Sequence, residues 1–432
     1  MSFATIPGIA ISRWKSQSTK EHYWDLRDLL TRWRRLRQNP EFARLVWQNQ
    51  LDFLLRRVQP VTGECSLRAQ AAASWLIRAW ESTPDDGVSM GYFPCDPLDR
   101  SPNRNGWRPS YPETTGYIIS SLIDYANRYN DAAMFEKALS MALWETTVQM
   151  ESGAVQGGVV TSADKQHPAI FNTGMVLHGY TAILKTTPNN TIEHHARRAA
   201  DFLLADLKED DHFYTHGPFV TNHRIKTYNC LCAWSLYRFG EQMQEKKYQQ
   251  AALRTATASM RLQHPNGWFP HNCLTREEAP LTHTIGYTLQ GILETGVASG
   301  HEPLINSARR GLLPILNAIS PTGFLPGRFH ADWSPASFSS CLTGSAQLAI
   351  VCFRLFQVLG DPQFLEAGNR LLNYLKGLQL IQTPQTPMHG GLPGSFPIFT
   401  GEYMTAGYPN WATKYLLDAL LLQEKFSLNT RQ

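Results

Sequence analysis

A chain of 432 residues with 43% hydrophobic and 18% charged residues has the composition of a large globular protein able to bury a substantial core. Its formal net charge of +4 is mild and shows none of the strong basic excess of a nucleic-acid binder. No charged-then-apolar leader opens the chain and no uninterrupted apolar run approaches a membrane span, so a cytoplasmic location is expected. Seven scattered cysteines, an odd number, read as reduced thiols rather than a disulfide framework.

In chain order, residues 1–19 read as a loose leader. Two amphipathic helices are predicted over 21–37 and 41–58, with Trp24, Leu29, Trp33 and Leu36 spaced for one face. Residues 1–60 are expected to form a helical extension packed on a main domain over 61–432. Arg32, Arg34, Arg35 and Arg37 crowd the end of the first helix, and Arg56 and Arg57 end the second. These cations suit helix C-termini on a solvated face; the alternative is contact with an anionic membrane surface or an acidic partner protein. A third helix is predicted over 66–82. Residues 83–111 then form an irregular stretch containing Gly91-Tyr92-Phe93-Pro94 and Asn103-Arg104-Asn105-Gly106-Trp107, longer than a connection needs.

From Glu113 onward the chain repeats. Apolar helices are predicted to start near Glu113, Phe171, Thr227, Thr282, Leu342 and Asn410. Their aligned pairs are Thr115-Gly116, Thr173-Gly174, Asn229-Cys230, Ile285-Gly286, Thr343-Gly344 and Trp411-Ala412. The second members are separated by 58, 56, 56, 58 and 68 residues. Amphipathic helices over 131–149, 192–208, 246–262, 302–318 and 362–378 lie between them, and 66–82 supplies a sixth. A fixed period of this size implies a solenoid or a closed ring of helix pairs. Six pairs close an all-α (α/α)6 toroid of six inner and six outer helices.

The connections are asymmetric. Those from an inner to the next outer helix are short, as at Arg128-Tyr129-Asn130. Those leading into inner helices are long, and hold Gly157-Gly158, Gly267-Trp268-Phe269-Pro270, Gly323-Phe324-Leu325-Pro326-Gly327-Arg328-Phe329-His330 and Gly390-Gly391-Leu392-Pro393. The elaborated rim is therefore the one where inner helices begin, and six helix N-termini are expected to face it.

The segment Gly106-Trp107-Arg108-Pro109-Ser110-Tyr111-Pro112-Glu113-Thr114-Thr115-Gly116-Tyr117 carries a family resemblance. It is similar to poorly characterised bacterial proteins associated with polysaccharide biosynthesis. The alternation of Gly-aromatic loops and buried helices resembles the (α/α)6-toroid carbohydrate-active proteins: polysaccharide lyases, uronyl C5-epimerases, unsaturated-uronyl hydrolases and several glycoside hydrolases. The resemblance implies an oligo- or polysaccharide substrate, acidic and uronate-containing, and no cofactor. Terpene-cyclase toroids fit less well, since the chain has no D-x-D-D-type acid motif.

The residue types on the rim support two chemistries. Hydrolysis of a glycoside needs a pair of carboxylates, and the rim offers Glu113, Glu151, Asp164, Asp332 and Glu402, of which Glu113 with Asp332 or Glu402 is the favoured pairing. Lyase or epimerase chemistry needs a base at the uronate C5 and groups that stabilise the resulting enolate. His283 and Tyr287, four residues apart on one helix face, are the candidate bases, and Arg224 and Arg328 the candidate carboxylate holders. Trp107, Arg108, Tyr111, Asn172, His223, Tyr228, Trp268, His330 and Trp411 complete the candidate substrate-binding set, the aromatics as platforms for sugar rings. Proton abstraction is slightly favoured over hydrolysis. A non-catalytic scaffold that binds a glycan or a protein is the remaining alternative. No histidine or cysteine spacing suggests a metal site.

Overall fold

The computed structural model of the protein describes residues 26–95, 106–218, 220, 224–381 and 386–429. The expected leader over 1–19, the start of the first predicted helix and the candidate His223 lie outside the described residues. Fourteen α-helices are present among those described: α1 (Leu26–Gln38), α2 (Pro40–Leu54), α3 (Cys65–Glu81), α4 (Pro112–Tyr129), α5 (Ala132–Val148), α6 (Ile170–Thr186), α7 (Asn190–Asp206), α8 (Cys230–Gln242), α9 (Lys246–Arg261), α10 (Thr282–Ser299), α11 (Glu302–Ala318), α12 (Leu342–Leu359), α13 (Pro362–Leu378) and α14 (Asn410–Asn429).

They form an (α/α)6 toroid. Helices α4, α6, α8, α10, α12 and α14 pack in that order, and α14 returns to α4 to close the inner ring. Each inner helix carries an outer partner: α5 on α4, α7 on α6, α9 on α8, α11 on α10, α13 on α12, and α3 on α14. The outer helices α5, α7 and α13 begin at Asp131, Asn189 and Asp361, whose side chains accept a first-turn N–H. The inner helices α4, α6, α8, α10 and α12 begin without any side-chain cap.

Closing six helices around an axis requires close approach. A Cβ on Gly116 would lie 2.6 Å from the Val176 Cα, and one on Gly344 2.6 Å from the His283 backbone nitrogen. Thr115 and Thr173, just before the small residue, each use their hydroxyl to accept a rim-loop N–H, from Val88 and Val155, at 2.9 Å. In the last repeat this role falls to Thr413, which accepts from Leu392 at 2.9 Å. The sixth aligned pair is therefore Thr413-Lys414 rather than Trp411-Ala412. The correction brings Glu113, Phe171, Thr227, His283, Cys341 and Trp411 to one level, and Tyr117, Met175, Leu231, Tyr287, Ser345 and Tyr415 to the next turn.

Two short ribbons tie the long loops together at the rim where inner helices begin. Strand β1 (Gly91–Tyr92) pairs antiparallel with β4 (Tyr408–Pro409), and β2 (Ser340–Cys341) with β3 (Ser395–Phe396). The N-terminal helices lie against this rim: Trp33 meets Phe399 edge-on at 5.6 Å, Phe53 meets Phe396 at 5.5 Å, and Asn49 Oδ1 accepts from the Ile398 N–H. Helix α12 is long and apolar enough to cross a membrane, contrary to the expectation from the sequence, but it is an inner-ring helix and 72% of its apolar window is buried.

Candidate active site at the ring axis

Pro112 fixes the first turn of α4, and Glu113 follows it on the inner side of the ring. Its carboxyl accepts one hydrogen bond, from the Tyr111 hydroxyl at 3.2 Å. Burial pushes the carboxyl up to about 7, and the Tyr111 bond offsets that only in part. The charge of Glu113 is felt by Tyr111, Tyr117, Tyr228, Tyr287, Tyr403 and Tyr415, all held well above the ordinary phenol range chiefly by burial. Glu113 is thus the acid at the centre of a box of phenols.

His283 enters the same box from the first turn of α10. Its ring lies 4.5 Å from Tyr287 and 5.3 Å from Tyr403, and its Nδ1 is 3.1 Å from Gln347 Oε1. Burial lowers it to about 4, so the imidazole is neutral at physiological pH. With the Nδ1 proton donated to Gln347, Nε2 carries the lone pair. Phe171 packs against Tyr228 at 5.5 Å and Tyr287 at 4.6 Å, and Trp411 against Tyr111 at 6.0 Å. Asn172 donates to the Gln156 carbonyl at 2.9 Å and also bonds the Tyr111 hydroxyl.

The axis thus gathers Glu113, His283, Tyr287, Tyr111, Asn172, Tyr228 and Trp411 from the sequence-derived candidates. It does not gather the other described candidates. Trp107 packs between Trp75 and Tyr92, at 5.4 and 5.3 Å, and the Arg108 guanidinium lies 5.9 Å over the Phe93 ring, beside Arg35 and Arg32. Trp268 stacks edge-on against Trp333 at 5.1 Å. Arg224 and His330 are exposed, the latter bonded to the Glu278 carbonyl.

The two partners expected for Glu113 are engaged elsewhere. Asp332 is exposed, and its carboxylate accepts the Ser334 N–H and hydroxyl. Glu402 accepts from Arg328 Nε at 3.1 Å and from the Ser337 hydroxyl at 2.9 Å, while Arg328 also donates to the Ala279 carbonyl. Arg328, expected to hold a substrate carboxylate, thus pins three rim loops together. Glu402→Gln is expected to cost about 1.5–3 kcal/mol in urea unfolding, because the buried Arg328 loses its charged acceptor, and to leave turnover within about tenfold. A loss of turnover above about a hundredfold at unchanged stability would instead place Glu402 in the chemistry.

Sequence reasoning missed Tyr117, Tyr403, Tyr415, Phe171 and Gln347. The signal was present for two of them: Glu113–Tyr117 and Trp411–Tyr415 repeat the four-residue step of His283–Tyr287. Among the described residues no group of three or more His, Cys, Asp or Glu could hold a metal ion, and all seven cysteines are free.

No protein-family model and no curated protein matches the chain. Solved structures do resemble it. An unsaturated glucuronyl hydrolase specific for heparin has 15% identity and a TM-score of 0.67, over 84% of this chain and 98% of that one. The unsaturated glucuronyl hydrolase of Bacillus sp. GL1, described as responsible for glycosaminoglycan degradation, has 18% identity and a TM-score of 0.65, over 84% and 97%. An α-amylase from Clostridium perfringens has 11% identity and a TM-score of 0.59, over 84% and 99%. Two activities thus share one architecture, and identity this low carries the architecture alone. The chain is an (α/α)6 toroid.

Proposed function

We propose that the protein is a carbohydrate-active enzyme that hydrolyses an acidic, uronate-containing saccharide at the ring axis, with Glu113 as proton donor and His283 as base. The observation that carries this reading is the Glu113 carboxyl, held by burial near the pKa a general acid needs at neutral pH. Glu113 gives its proton to the departing oxygen as the C–O bond breaks. A water attacks the carbon and loses its proton to His283 Nε2. The flat aromatic walls, Tyr287 and Trp411 among them, suit the apolar face of a sugar ring. The shared architecture with glucuronyl hydrolases supports the substrate class.

His283 also favours a second reading, proton abstraction at a uronate C5. The Gln347 contact orients its ring and leaves Nε2 as a neutral base, and Glu113 would then protonate the leaving group. One experiment separates the readings: incubation with neutral and uronate-containing oligosaccharides in heavy water, followed by mass spectrometry and ultraviolet absorbance. Hydrolysis is expected, seen as a mass gain of one water. New absorbance from an unsaturated uronate would establish elimination instead, and deuterium uptake without cleavage epimerisation. No change with any glycan would leave a binding scaffold as the surviving alternative.

A further inference from the structure

A large cavity lies at the opposite end of the ring, where the inner helices end and the connections are short. It has a volume of about 900 Å³, and all six inner helices line it. That is the size of a small-molecule site rather than a packing defect. From Met175 at its floor to Lys185 at its mouth runs one face of α6, a depth of about 15 Å at the helical rise.

Three phenols stand between the cavity and Glu113. Tyr117, Tyr287 and Tyr415 form a layer across the axis, with Tyr415 at 5.8 Å from Tyr117 and 6.0 Å from Tyr287. Tyr117 and Gln290 are among the lining residues, and the Tyr117 hydroxyl and Gln290 Oε1 are buried without a hydrogen-bond partner.

The walls carry groups that recognise sugars. Trp234 presents a half-buried indole, held by His178 at 4.7 Å. Lys414 pairs with Asp418 at 2.7 Å and sits 4.1 Å over the Tyr415 ring, while Asp124 lies near Asp418. At the mouth most cations are matched: Arg128 with Glu424 at 3.0 Å, Arg354 with Glu294 at 2.6 Å, and Arg238 with Glu241 at 2.8 Å. Lys185 and Lys425 line the same mouth; neither makes a hydrogen bond or ion pair among the described residues, and both act at longer range on the Asp124 carboxyl. Two ammonium groups that no carboxylate directly binds, above an aromatic wall, define the charge and shape of the occupant.

We propose that this mouth is a second binding site, for an acidic saccharide of one or two rings whose carboxylate or phosphate meets Lys185 and Lys425 and whose ring lies on Trp234. It does not rest on the reaction assigned to Glu113. The test is calorimetric titration of the full chain with glucuronate, glucose 6-phosphate, glucose and inorganic phosphate. The proteins compared are wild type, Glu113→Gln, Trp234→Ala, and the doubles Lys185→Glu/Lys425→Glu and Lys185→Gln/Lys425→Gln, each checked for an unchanged thermal midpoint. Both acidic sugars are expected to bind wild type and Glu113→Gln alike, and at least about tenfold more weakly to Trp234→Ala and to either double. Glucose and phosphate should each bind at least about tenfold more weakly than glucose 6-phosphate. The two acidic sugars tell a carboxylate from a phosphate preference. The proposal is overturned if neither binds at about 10 mM, if binding disappears in Glu113→Gln but survives the lysine doubles, or if phosphate alone binds as tightly as the sugar phosphate.

Discussion

Glu113→Gln is expected to lower turnover by about 10²–10⁴-fold, the usual contribution of a positioned general acid, while making the protein more stable above neutral pH. Both effects come from one cause. Burial raises the carboxyl from its usual 4.5 to about 7, so the folded chain keeps a proton that the unfolded chain has released. Stability is then unaffected by this group at pH 4. It falls as pH rises from about 4.5 through about 7, and stays lower above that. The cost at pH 8 is at most on the order of 3 kcal/mol. Glutamine keeps the shape and the bond to Tyr111 but has no proton to lose. Urea unfolding of wild type and variant should coincide near pH 4 and diverge by pH 8, with the variant the more stable. In parallel, wild-type turnover should decline as pH rises through about 7, because the donor must be protonated. A variant with full turnover would remove Glu113 from the chemistry, and one destabilised at pH 8 would show that the carboxylate is satisfied by groups other than Tyr111.

The repeat was legible because it is written in backbone constraints. Glycine is required where two inner helices touch, and apolar spacing marks each helix, so Gly116, Gly174, Gly286 and Gly344 locate four of the six inner helices. The sixth pair was misaligned because Lys414 stands where the others have a small residue or Cys230, and only the bond from Leu392 to Thr413 reveals the register. The axial acid was legible for a similar reason: Pro112 fixes a helix start, and Glu113 must then occupy the first turn. Side-chain direction in the long loops was not legible. Trp107 and Arg108 stand five or six residues before Glu113 and pack away from it, because Trp75, Tyr92 and Phe93 offer them an apolar surface. Arg328 and Glu402 are 74 residues apart, and nothing in either neighbourhood announces that they neutralise one another. The cavity at the far end was invisible because its lining comes one or two residues per turn from six separate helices whose sequences read as ordinary core.

Gly344→Ala is expected to be among the most damaging single-methyl changes in the ring, costing at least about 3 kcal/mol, the upper end of ordinary overpacking. The added Cβ would lie 2.6 Å from the His283 nitrogen and closer still to the Thr282 hydroxyl. The first is backbone in the opening turn of α10, so a rotamer change cannot relieve it. Either α12 moves outward, opening the ring between Gly344 and α10, or the first turn of α10 shifts and carries His283 with it. The second response would separate His283 Nδ1 from Gln347, a residue of α12 itself, so the clash and the lost bond arise at one seam. Gly360→Ala provides the contrast: its φ of +70° is the left-handed helix end, but nothing lies within 4 Å of an added Cβ, so only the backbone preference of about 1 kcal/mol is lost. Urea unfolding of the two variants should differ by at least about 2 kcal/mol. Any Gly344→Ala protein that remains folded should turn over more slowly than its stability alone explains, since the base would stand out of register with Glu113. Equal stability of the two variants would mean that α10 and α12 do not meet at this distance, and the axial geometry would then need another support.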